Sequence, residues 1–113
     1  MSAHITWEEF EKVELKTATI VRVEDFPEAR KPAYKLWLDI GDGAEPKTSS
    51  ARITTLYTKD ELVGKQVVVV ANFPPKKIGP VTSEVLVTGF YHSPDDVVLA
   101  IPERKVANGL RLA

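Results

Sequence analysis

Two lysines at the end of a proline-stiffened segment, in the run Asn72, Phe73, Pro74, Pro75, Lys76, Lys77, Ile78, Gly79, are the side chains of this sequence best placed for chemistry. That chemistry is recognition, not bond-making. Each proline holds φ near about −65° and lacks an N–H, so the chain leaves the preceding apolar strand as a stiff, extended arm. Ammonium groups carried on such an arm can meet an anion or a partner's backbone; the competing reading is a surface turn kept soluble by its charges. Asn72, Ser83 and Glu84 bracket the arm, and each can hydrogen-bond either the loop itself or a ligand. Glu84 reads as a loop-structuring residue, because a carboxylate facing a phosphate would repel it.

Arg30, Lys47 and Arg52 are the further cations that could join Lys76 and Lys77 in one basic patch, with Asn72 and Ser83 as polar partners. Contacts of this kind read the shape of a phosphate backbone instead of its bases, and they weaken steeply as salt rises. A second set is aromatic. Trp37 falls on the polar register of its segment, between Lys35 and Asp39, where a large ring can stack on a base, grip an apolar peptide, lie in a dimer interface or be covered by the chain's own ends. Phe73 sits beside the prolines, and Phe26 and Tyr34 flank the first loop. A peptide pocket lined by Phe26, Tyr34, Trp37 and Phe73 is expected, against the reading in which Phe73 caps the fold.

Catalysis has little to stand on. His4 and His92 are the two histidines, one near the start and one in a turn, and neither has a placed partner for acid-base work. No nucleophile elbow, P-loop or dinucleotide fingerprint is present, so neither an enzyme nor a cofactor is expected. Asp95 and Asp96 are adjacent in a turn and point apart, with no third ligand in step, so no metal site is expected either.

The chain has 113 residues and no cysteine, enough for one domain over residues 1–113 whose core needs no disulfide or metal. Residues 1–10 lack the basic and apolar regions of a secretory leader, and the longest apolar run, residues 67–71, is far short of the roughly 20 residues that span a bilayer. A cytoplasmic protein without membrane insertion is expected. Formal net charge is −1, which gives no global attraction to nucleic acid, yet its distribution is uneven. Residues 1–45 hold ten acids and six bases, whereas residues 46–94 hold three acids and six bases. The basic middle contains the proline and lysine arm.

These residues need elements to hold them. Thr6 as N-cap with Glu9 three positions on predicts a short N-terminal helix, stapled by Ile5 and Phe10. From Val13 the period becomes two, with Val13, Leu15, Thr17, Thr19, Val21 and Val23 expected on one face of a long strand; Ala18 and Ile20 interrupt the polar face, which predicts a bend. Tyr34, Leu36, Leu38 and Ile40 alternate as a half-buried strand, residues 48–53 (TSSARI) make a third, and Thr58 with Glu61 starts a short helix that stops at Gly64. Residues 66–72 (QVVVVAN) predict a central strand covered on both faces, residues 85–90 and 97–101 two more, and the Asn108, Gly109 turn a small closing hairpin over residues 106–112. Five strands with a helix between the third and fourth describe an all-β, five-stranded OB-fold barrel with a short N-terminal helix and a C-terminal β extension.

That order, together with NFPPKKIG (residues 72–79) and SEVLVTGF (residues 83–90), resembles the tRNA-binding-domain family, and within it the branch of small stand-alone proteins described as export-related chaperones. DFPEAR, PAYKLWLDIG, SSARIT and DVVLAIP support the resemblance, which runs over about residues 10–112. Related modules occur as appendages of methionyl-tRNA synthetases. The resemblance implies a homodimer that binds tRNA by shape and, in the chaperone branch, unfolded or presecretory polypeptide. The chain departs from the family pattern at Thr48, where relatives often carry glutamine, and at residues 79–82, where they commonly carry another basic residue.

Overall fold

Strand β1, Leu15–Asp25, organises the molecule, and its sequence does so by failing to alternate cleanly. A computed structural model describes residues 3–113; Met1 and Ser2, the first residues of the segment without leader character, lie outside them. Along β1 the register against β2, Tyr34–Asp39, runs from Ile20 opposite Leu38 to Arg22 opposite Trp37, so Val21 is an extra residue in a β-bulge. A bulge adds twist and resets which side chains face inward. Ala18 and Ile20 therefore point into the barrel and are fully buried before the bulge, and Val23 packs on the core after it. This corrects the expected inner face: Leu15, Thr17 and Thr19 point away from the core, and Val21 is exposed. The predicted bend is present.

The first half of β1 pairs antiparallel with β4, Gln66–Val70, and the second half with β2, which in turn pairs with β3, Lys47–Ala51. With β7, Leu86–Val87, beside β4, the sheet order is β3-β2-β1-β4-β7. The edges β3 and β7 approach one another, so the sheet curls into a nearly closed OB-fold barrel. β-branched Val67 and Val69 fill the interior with Ala18, Ile20, Leu36 and Leu38, all of them fully buried. Helix α2, Lys59–Leu62, is capped by the Thr58 hydroxyl, which accepts from the Glu61 N–H, and it inserts the buried Leu62 into the core. Asp25 accepts from the Lys59 ammonium at 2.8 Å, which raises Lys59 above its ordinary pKa and ties α2 to the end of β1. Helix α1, Trp7–Glu11, carries the predicted reciprocal capping box, with Trp7 and Phe10 rings 5.4 Å apart.

Three expectations are corrected. β4 ends at Val70 instead of Asn72, because the chain must free itself for the prolines. Residues 85–90 are split between β7 and β8, Gly89–Ser93, which forms a hairpin with β9, Asp96–Leu99. Residues 106–112 do not close on themselves. They run beside the free edge of β1 instead, where Thr17 N–H donates to the Leu110 carbonyl at 3.0 Å and the Leu112 N–H to the Leu15 carbonyl at 2.8 Å. Gly109, with φ of 82°, makes this possible: a Cβ there would stand 2.6 Å from the Ile40 carbonyl. Strand β1 is thus covered on its inner face by core and along its outer edge by tail.

Leu36 lies at the centre of that interior, so Leu36→Ala should lower unfolding stability by about 2–5 kcal/mol. The fall should appear in urea as an earlier midpoint with an unchanged slope.

Candidate functional site

The proline arm ends in a hairpin that the alternation of its residues does not announce. Strand β5, Lys76–Ile78, pairs with β6, Val81–Ser83, with Lys76 opposite Ser83, Lys77 opposite Thr82 and Ile78 opposite Val81. Gly79, at φ 59°, and Pro80 make the two-residue turn, which needs positive φ at its first position. Residues 79–82 are therefore the turn and the start of the return strand. Successive side chains alternate across a strand, so Lys76 and Lys77 project from opposite faces of the hairpin.

The hairpin is clamped at both ends. Glu84 N–H donates to the Thr48 carbonyl at 2.7 Å, while the Glu84 carboxylate accepts from the Thr48 N–H at 3.1 Å. The Thr48 hydroxyl reaches both that carboxylate and the Thr82 carbonyl. Glu84 thus structures the loop, and Thr48 is its partner. At the base of the arm the Asn72 side chain accepts from Glu14 N–H at 2.9 Å and donates to the Lys12 carbonyl at 2.6 Å. Its amide is committed to the segment joining α1 to β1. Ser83 similarly turns its hydroxyl toward Ser49 and the Val85 carbonyl.

Between the arm, the hairpin and the start of β7 lies a groove of about 700 Å³. Phe73, Pro74, Pro75, Ile78, Val85 and Leu86 give it an apolar lining, with Phe73 51% and Leu86 47% exposed. Lys76, Lys77 and Glu84 stand at the same groove. An extended apolar segment would meet proline and aromatic faces there, and a backbone or phosphate oxygen would meet Lys76, which shares the hairpin face of Ile78.

The four aromatics read as one pocket are dispersed. Phe26 and Tyr34 are buried, at 3% and 8% exposure, and the Tyr34 hydroxyl donates to the Tyr57 carbonyl at 2.8 Å. Tyr34 belongs to the inward register of β2, whereas Trp37 is on the outward one, opposite Arg22 and Thr48. Phe73 lines the groove without the other three. Trp37 has company of another kind: the Arg22 guanidinium lies 4.6 Å from its ring centroid and is also paired with Glu24. On the same outer face the Lys35 ammonium stands 5.4 Å from the Phe26 ring. In OB-folds the outer face of the second and third strands is a common nucleic-acid surface, and here it carries an aromatic ring, two cations and the hydroxyls of Thr48 and Ser50.

The cations are likewise divided. Lys47 starts β3 opposite Leu38 and is half-buried. Arg30 is exposed in the loop over residues 26–33. Arg52 lines a separate cleft of about 410 Å³ with Lys31 and Tyr91, two residues that sequence reasoning missed, because only the placement of the β8–β9 hairpin brings them together. Among the described residues the ion pairs use Lys16, Arg22, Lys59 and Arg104, so Lys76, Lys77, Lys47, Arg30 and Arg52 keep their charge unneutralised.

Residues 15–111 match the family described as "Putative tRNA binding domain". The chain belongs to the tRNA-binding-domain family. Its fold is similar to the crystal structure of the chaperone CsaA from Bacillus anthracis, at 40% identity and TM-score 0.92, over 98% of this chain and all of that one. The CsaA chaperone protein of Picrophilus torridus is 44% identical, with TM-score 0.88, over 97% of this chain and 100% of its own. Pyrococcus furiosus methionine–tRNA ligase is 35% identical over 112 residues, which are 96% of this chain. The chain spans only 14% of that ligase's length, and the match is to its family module. No described helix is long and apolar enough to cross a membrane.

Within this family member, Asn72 joins the arm to the start of β1 through two hydrogen bonds, so Asn72→Ala should cost about 1–3 kcal/mol of stability. Hydrogen exchange should accelerate at the Glu14 amide, and the amides of β1 beyond the bulge should keep their protection.

Proposed function

We propose that this protein is a non-enzymatic, cytoplasmic chaperone of the CsaA kind, a stand-alone module that holds unfolded or presecretory polypeptide. The observation that carries this reading is the groove beneath the lysine hairpin. Its apolar lining of Phe73, Pro74, Pro75, Ile78, Val85 and Leu86 is partly exposed on a rigid support, and Lys76 shares the hairpin face of Ile78. Pre-ordered prolines lose little freedom on binding, which favours capture of a flexible chain. Likeness to two CsaA structures along nearly the whole chain supports the reading.

A second activity, structure-specific tRNA binding, is favoured by the unpaired Lys76 and Lys77 and by the outer face with Trp37, Arg22 and Lys35. Lys47, Arg30 and Arg52 would extend the phosphate contacts from other parts of the surface, whereas Asn72 and Ser83 would act by holding the arm. The family match supports tRNA as a partner. Two copies of the chain would present two grooves and two basic hairpins, which strengthens capture of a long polypeptide or a structured RNA without new contacts. Exposed Trp7 and Leu112 line a small cleft where α1 meets the tail, exposed Leu110 lines a second between the tail and β1, and these are the apolar surface such a homodimer would cover.

Labelled bulk tRNA and a labelled unfolded polypeptide, each titrated at several salt concentrations, separate the two activities. Phe73→Ala should weaken polypeptide binding several-fold and leave tRNA affinity nearly unchanged, while Lys76→Gln with Lys77→Gln should weaken tRNA binding and reduce its salt slope by about one per lysine. No tRNA binding at about 50 mM salt would remove the RNA activity. Polypeptide affinity indifferent to Phe73→Ala would remove the groove as its site. Light scattering should give twice the 12.5 kDa chain mass; a monomer at tens of micromolar would contradict the dimer.

A further inference from the structure

The cleft between the 26–33 loop and the β8–β9 hairpin has no part in the groove, with which it shares no lining residue. Its volume of about 410 Å³ falls within the roughly 300–1,000 Å³ of small-molecule sites. One wall is the open end of the β2–β3 ladder. Tyr34 pairs with Ala51 at that end, so Lys31 and Arg52, just beyond this rung on the two connected strands, arrive on the same wall, followed by Thr54 and Thr55. The other wall is the β8–β9 hairpin, which presents Tyr91, 76% exposed, with its cross-strand partner Val97 and the turn residue Asp95.

The two walls ask for different chemistry. Lys31 and Arg52 are donor-only cations that make no ion pair among the described residues, and threonine hydroxyls beside them add further donors. Such a set suits a phosphate. Tyr91 offers a flat, accessible ring on which a heterocycle can stack, while the Asp95 carboxylate repels phosphate but accepts from a sugar hydroxyl or an exocyclic amine. A bare anion would leave Tyr91 and Asp95 unused, and an apolar peptide would strand both cations. A ligand anionic at one end, and planar and hydrogen-bond donating at the other, satisfies every wall.

We propose that this cleft binds a nucleoside monophosphate group, with phosphate at Lys31 and Arg52, base on Tyr91, and Asp95 accepting from the sugar or base. The group can come from a free mononucleotide or from the unpaired terminal nucleotide of an RNA. Neither source needs the hairpin lysines.

The test is titration of the intact chain with AMP, adenosine and inorganic phosphate, followed by two-dimensional NMR. AMP should shift the resonances of Thr54, Thr55 and Tyr91 and bind more tightly than adenosine or phosphate. Arg52→Gln and Tyr91→Ala should each weaken AMP roughly tenfold, whereas Lys76→Gln with Lys77→Gln should leave AMP affinity unchanged. Displacement of bound AMP by tRNA would identify the RNA terminus as the source; simultaneous binding of both would identify the free nucleotide. The proposal is overturned if millimolar AMP shifts none of these resonances, if adenosine binds as tightly as AMP, or if both substitutions leave AMP affinity intact. Retention of tRNA by the Tyr91→Ala protein, whose substitution touches none of the proposed tRNA contacts, would leave the family reading standing in each of those cases.

Discussion

The bulge at Val21 is the constraint on which the rest of the molecule rests. It lets one strand serve two ladders, pairing its first half with β4 and its second half with β2, and it turns Ala18, Ile20 and Val23 to the same interior despite their spacing. Without that change of phase, the apolar residues on either side of position 21 would face opposite ways, and one set would be left in water. The bulge also points Arg22 outward next to Trp37, so the feature that closes the barrel places an aromatic and cationic pair on its outer wall.

Around this frame, polar side chains fix what the strands leave loose. Thr48 and Glu84 fasten the lysine hairpin across the edge of β3, Asn72 ties the arm to the start of β1, and Tyr57 joins Tyr34 to the backbone of Leu99. Gln66 holds the tail by accepting from the Val106 N–H and donating to its carbonyl. Each partner is tens of residues away in the chain. The consequence is a hairpin whose lysines are exposed but whose base does not swing freely, the condition under which surface charge gives orientation as well as attraction.

Much of this was legible in the residues. The capping box at Thr6 and the N-cap at Thr58 set both helices, alternation fixed the inward face of β2, and the valine run marked a strand covered on both sides. Periodicity does not give the inner face of β1, because both of its faces are covered: one meets the core, and on the other the Thr17 and Thr19 side chains meet the tail. The β5–β6 hairpin escaped notice because its strands are three residues long, too short for a periodic signal. The supposed aromatic pocket failed to assemble for a simpler reason: Tyr34 and Trp37 are separated by an odd number of strand positions and must face opposite ways.

The sequence by itself determined the family, the OB-fold and the stiff arm that carries Lys76 and Lys77, because each is written in contiguous residues whose backbone preferences need no distant partner. Tertiary structure alone decided which side chains share a surface. It placed Phe73 in a groove away from Trp37, committed Asn72 and Glu84 to holding the arm, and put Arg52 beside Lys31 and Tyr91 instead of beside the hairpin. The physical reason is that such neighbours meet across strand pairings and turns, whose register is set by packing of the whole barrel and by a single extra residue in β1.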